Sequence, residues 1–153
     1  MPRVFKYKLE PVLRYRKRLE EGKRRVLAKA RRAVMEQNQV LLQLLRDEGN
    51  AKKDFGEMKK LPTLLVGRLR LQEQYINSLA RRIRQEYRVL QEKLLAEASA
   101  RRDLAEARKK ARVLEKLKDR RKADYDYELK RIERKEMDEV GLNVFRRRGG
   151  GEA

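Results

Sequence analysis

Gly56-Glu57-Met58-Lys59-Lys60-Leu61-Pro62-Thr63-Leu64-Leu65-Val66-Gly67 is the stretch on which the fold turns. Proline inside a helix loses a backbone hydrogen bond and clashes with the preceding turn, at a cost of roughly 3 kcal/mol. It also pushes the residue before it, Leu61, away from helical geometry. Helix-favouring sequence runs for about fifty residues before this breaker and for longer after it, so the chain reverses here. The reading is a first helix over about 5–56, whose regular part begins near Glu10 because Pro11 suits a first helical turn, a turn over about 57–63, a second and longer helix over about 64–140, and a flexible tail over 141–153.

Outward from the turn, apolar residues recur every seven positions. Toward the N-terminus the row is Phe5, Val12, Leu19, Val26, Ala33 and Val40, flanked by Leu13, Leu27, Val34 and Leu41. Toward the C-terminus it is Leu69, Ile76, Ile83 and Leu90, with Leu79 and Leu94 beside it. After Leu94 the pattern reads as a register shift that resumes at Leu104, Ala107, Ala111, Leu114 and Leu117, the signature of a stutter. A sustained seven-residue repeat marks a helix that winds against a partner. Two such helices on a short connection pack antiparallel, so the fold class is all-α, a single antiparallel coiled-coil hairpin spanning 1–153. Folding about residue 61 pairs positions whose numbers sum to about 122. This places Phe5 near Leu117, Val26 near Ala96, and Leu41 level with Leu79. The first helix is roughly 70–80 Å long at 1.5 Å per residue, which predicts a rod. Residues beyond about 120 overhang without a partner and are expected to fray, because an unpaired amphipathic helix is marginal in water. Arg16, Lys23, Gln37, Glu86 and Lys93 interrupt the apolar pattern at heptad-compatible positions, the placement of residues that specify register.

The composition agrees. Charged residues make up 44% of the 153, aromatics 6%, and Trp is absent. Such a chain buries a seam more readily than a rounded core. Forty-three Lys and Arg against twenty-four Asp and Glu leave a formal charge of +19. That field attracts an acidic counterpart: nucleic acid, an anionic surface, or an acidic protein face.

Chemistry is sparsely provided. With no Cys and no His, thiolate and imidazole metal sites and thiol or imidazole catalysis are excluded. Ser78, Ser99 and Thr63 have no neighbouring base of the kind a nucleophile requires. No glycine-rich phosphate loop is present. No apolar run approaches the ~20 residues that span a bilayer. The reading is a non-enzymatic, cytoplasmic interaction protein without metal or cofactor. Isolated Tyr75 and Tyr87 make a thin stacking platform for single strands, so no specific nucleic-acid recognition is assigned, and a basic nucleic-acid- or ribosome-binding hairpin stands as the alternative.

Four segments carry a resemblance to a known family. They are Phe5-Lys6-Tyr7-Lys8-Leu9-Glu10-Pro11-Val12-Leu13 with Arg16, Gln74-Tyr75-Ile76-Asn77-Ser78-Leu79, Leu114-Glu115-Lys116-Leu117-Lys118-Asp119-Arg120, and Glu133-Arg134-Lys135-Glu136-Met137-Asp138-Glu139 followed by Phe145. In order and spacing the chain resembles the FliJ proteins of the bacterial flagellar type III export apparatus, or the equivalent stalk of an injectisome. The resemblance implies a stalk whose paired helix ends insert into the hexameric export ATPase. It further implies contact with the cytoplasmic domain of the export gate protein, escort of export chaperones, and peripheral association with the inner membrane at the flagellar base through those partners. It places gate contact at Gln37, Leu41, Tyr75 and Leu79. It places ATPase contact at Phe5, Leu9, Leu13, Leu114, Leu117, Arg120 and Arg121.

Overall fold

The protein, as a computed structural model, is described over residues 4–63 and 65–150. The expected helix start at Leu64 and the end of the expected tail, from Gly151, lie outside the described residues. Two helices account for the fold: α1, Glu10–Lys59, and the longer α2, Val66–Gly149. No strand occurs among the described residues.

The ends of the helices follow local chemistry. α1 opens at Glu10, the start that Pro11 indicated, and Phe5 to Leu9 lie outside it. Pro11 lies in the first turn, where its missing N–H is no loss, and the Glu10 carboxylate complements the positive end of the helix dipole. Residues 4–7 are outside regular structure and Lys8 and Leu9 form a turn, closed by the Glu10 N–H donating back to the Tyr7 carbonyl at 3.1 Å. At the far end Lys60 and Leu61 donate to Glu57 and Met58, three residues back, the tightening typical of a last turn. Pro62 follows. α2 runs on to Gly149 where the sequence suggested an end near 140, and Arg146, Arg147 and Arg148 occupy its last turn, the favoured place for cations.

The chain groups into two compact units: residues up to Leu19 with those from Ala107, and Glu20–Glu106. In Glu20–Glu106, the second part of α1 and the first part of α2 form an antiparallel hairpin. One buried cluster joins Leu41, Leu44, Ala51, Leu79 and Ile83, with Ile76 and Leu90 packed against it. A second joins Leu27, Ala100 and Leu104, with Ala30 beside them. In the other unit, the start of α1 and the later part of α2 also run antiparallel, with Leu13 and Ala111 each 2% exposed.

Burial corrects the seam in two respects. The row Val12, Leu19, Val26 and Val40 is 36–51% exposed, and the row one residue on, Leu13, Leu27, Val34 and Leu41, is the buried one. The reason lies in the companion positions three residues further along. For the Val12 row these are Tyr15, Gly22, Lys29, Glu36 and Gln43; for the Leu13 row they include Ala30, Gln37 and Leu44. Only the second pairing makes an apolar stripe with alternating spacing of three and four. The stutter is also absent. Burial continues in step through Leu90, Lys93, Glu97, Ala100 and Leu104; charged and small side chains at three seam positions had hidden an unbroken register.

Pairing is displaced as well. Phe5 stacks on Tyr125, with centroids 5.6 Å apart and planes tilted by 48°, eight residues beyond the Leu117 expected for it. The turn lies between Lys59 and Val66; nearer to it the expected pairing is kept, with Leu41 and Leu79 in one buried cluster.

Candidate functional site

In the unit formed by residues up to Leu19 and those from Ala107, the non-helical segment before Pro11 packs against α2. The Tyr7 hydroxyl donates to the Leu114 carbonyl at 3.1 Å. The Arg121 guanidinium lies 5.8 Å from the centre of the Tyr7 ring, within cation–π reach. Glu10 and Lys118 pair at 2.8 Å, with the Glu10 Oε2 shielded from water. Lys17 and Glu115 pair at 3.2 Å. The hydrogen bond from Lys118, helped by its charge and those of Arg14 and Lys17, holds the Glu10 carboxyl below its ordinary range against the opposing effect of burial.

This segment brings together most of the residues expected at an ATPase contact. Phe5, Leu9, Leu114 and Leu117 are half-buried, and Arg120 and Arg121 are exposed. Leu13 differs: it faces the seam and presents no surface. Lys116, Leu117, Asp119 and Arg120 line a shallow, open hollow.

In Glu20–Glu106, the residues expected at a gate contact divide in the same way. Tyr75 is exposed, whereas Gln37, Leu41 and Leu79 are buried in the seam. Leu41 and Leu79 share one cluster. Gln37 donates from Nε2 to the Glu86 backbone carbonyl at 3.0 Å and to its carboxylate, and accepts from Lys93 Nζ at 3.4 Å. Heptad spacing carries these three side chains inward, because positions alternating by three and four lie on one face.

Two features were harder to find in the sequence. The Tyr7 strap depends on non-helical backbone before Pro11, and that proline was its only signal. The end of α2 is exposed throughout from Glu133, with Met137, Val140 and Phe145 open to solvent. Among the described residues, no helix is long and apolar enough to cross a membrane, and no group of His, Cys, Asp and Glu could hold a metal ion.

Against known proteins, the family model described as "Flagellar FliJ protein" matches residues 5–150. No curated protein sequence matches the chain. Among solved structures, a protein assigned as a YscO homologue from Chlamydia trachomatis is similar, at 19% identity over 98% of this chain and 100% of that one, with a TM-score of 0.46.

Proposed function

Because the chain belongs to the flagellar FliJ protein family, we propose that it is the stalk component of a flagellar type III export apparatus, an interaction protein without catalytic residues of its own. It binds the hexameric export ATPase, the cytoplasmic domain of the export gate protein, and export chaperones, and reaches the inner membrane at the flagellar base through them. The observation that carries this reading is the family match over almost the whole chain.

The ATPase contact uses the surface beside the strap: Arg120, Arg121 and the half-buried Phe5, Leu9, Leu114 and Leu117. Leu13 supports it from the seam. Exposed guanidinium groups suit a partner surface carrying carboxylates, since complementary charge speeds docking and fixes orientation. At the gate, Tyr75 is the side chain that touches the partner, and Gln37, Leu41 and Leu79 set its position from beneath.

The deciding experiment measures ATP hydrolysis by the cognate export ATPase at physiological salt, with the full chain and with an Arg120→Glu/Arg121→Glu variant. Stimulation by the full chain, reduced at least about tenfold in affinity by the variant, is the expected result; two lost charge-assisted contacts amount to that much. An active, assembled ATPase that the full chain does not stimulate removes the ATPase role. A salt-titrated RNA-binding assay then tests the alternative, because phosphate binding falls by orders of magnitude as salt rises.

A further inference from the structure

The hairpin of Glu20–Glu106 has two flanks of different chemistry. On α1 and α2 the buried rows fix which residues lie to either side. One flank carries the positions just before Leu27, Val34 and Leu41 on α1 and before Leu90 and Glu97 on α2: Val26, Ala33, Val40, Val89 and Ala96. Charges near it almost cancel, with Lys29 and Arg82 against Glu36, Glu92 and Asp103.

The other flank carries the positions just after Val34, Leu41 and Leu44 on α1 and just after Glu86 and Lys93 on α2. Here Met35, Leu42, Leu45, Tyr87 and Leu94 form a strip, each 40–64% exposed. Five large apolar side chains left in water on one side of a short hairpin are more than scattered exposure explains. Arg84, one position after Ile83, lies along the same side and has no carboxylate within 4.0 Å among the described residues; it donates to the Ala80 carbonyl at 3.4 Å. Arg31 and Arg101 converge on Glu97 at 3.8 and 2.9 Å, which leaves that carboxylate with two guanidinium groups.

We propose that this flank receives an acidic amphipathic helix of a partner protein, laid beside α1 and α2 as a third helix. The eleven residues from Met35 to Leu45 span roughly 15 Å, nearly three turns of a partner helix. Apolar residues of that helix, spaced by three and four, would cover the strip. Its shoulder carboxylates would reach Arg84 and, just after Ala30 and Ala100 on the same flank, Arg31 and Arg101, planar donors suited to carboxylate pairing. A second copy of this chain fits worse, because a two-fold axis sets like patches against each other and the arginines would repel. A phosphate backbone would leave the apolar strip uncovered. The proposal is independent of the export role.

The test uses the full chain and a labelled probe: a peptide of about 20 residues made of Leu, Ala and Glu, with Leu on one helical face and Glu on its shoulders. Fluorescence anisotropy is measured in about 0.15 M salt, where long-range attraction is screened. Saturable binding is expected. Leu42→Ser with Tyr87→Ser weakens it at least about tenfold, or about 1.4 kcal/mol. Val26→Ser with Val40→Ser, on the opposite flank, changes it less than about twofold. All four positions are partly exposed, so circular dichroism is expected to show both variants folded. Equal losses in the two variants would overturn the proposal. So would absence of saturable binding, or equal affinity for a peptide of the same composition with Leu and Glu scrambled. A concentration-dependent dimer abolished by Leu42→Ser/Tyr87→Ser would assign the flank to a second copy instead.

Discussion

Gln37 and Glu86, forty-nine positions apart in sequence, are joined across the seam by two hydrogen bonds from one amide nitrogen. Lys93 closes the group from the other side by donating to the Gln37 oxygen. A buried polar layer of this kind has few satisfactory alternatives when one helix slides by a heptad, so it fixes register where apolar layers alone would permit several.

Gln37→Ala removes the shared partner of Glu86 and Lys93 and leaves both near the seam without it. Unfolding by urea is expected to show a loss of about 1–3 kcal/mol. Gln37→Leu is expected to lose less, because it fills the space, and to broaden the NMR signals of Leu41 and Leu90 as competing registers become populated.

Leu13→Ala and Val26→Ala test which apolar row faces the partner helix. Leu13 is 2% exposed and Val26 51%. Truncation at Leu13 is expected to cost about 2–5 kcal/mol, and at Val26 within about 0.5 kcal/mol. Equal losses in thermal unfolding would contradict the observed seam.

Tyr7→Phe keeps the ring under Arg121 and deletes the hydroxyl that donates to Leu114. A loss of about 0.5–1.5 kcal/mol is expected. Amide exchange localises it: protection falls near Leu114 and stays unchanged near Leu79.

Glu10 supplies a pH signature. Its carboxyl is held below the ordinary value of 4.5, first by the Lys118 hydrogen bond. A depressed pKa means that the folded state prefers the ionised form, so this contribution is complete above about 4.5 and fades as pH falls below it. Carbon-detected NMR titration should place the Glu10 midpoint under 4.5, and Lys118→Met should raise it. An unchanged midpoint would sink that attribution.

Among the described residues, no helix covers α2 from Glu133 on. Amides from Glu133 to Gly149 are expected to exchange at least about tenfold faster than those from Leu79 to Ala111, since unpaired helix opens locally. Uniform protection along α2 in the monomer would show that this segment finds a partner.

Much of the architecture was legible in the sequence. Pro62 announced the reversal, because no backbone adjustment restores the hydrogen bond it lacks. The seven-residue repeat announced two paired helices. The register was less legible. Lys93, Glu97 and Ala100 read as a break in the apolar pattern, yet the helix carries them along the same face as Leu90 and Leu104. The expected site divided similarly. Arg120 and Tyr75 lie on surfaces, but Gln37, Leu41, Leu79 and Leu13 turn inward, since a family motif marks positions without saying which way they face.

The sequence alone determined the two helices, the reversal between them and the strongly basic charge, because breakers, periodicity and charge are properties of residues and their spacing. Tertiary structure decided which of two adjacent apolar rows became the seam, that Phe5 meets Tyr125, and that one flank of the hairpin keeps five apolar side chains exposed among arginines. Those outcomes depend on how two helices fit each other. A heptad repeat fixes the period of a stripe, whereas its phase and stagger are settled only when the side chains of both helices compete for the same seam.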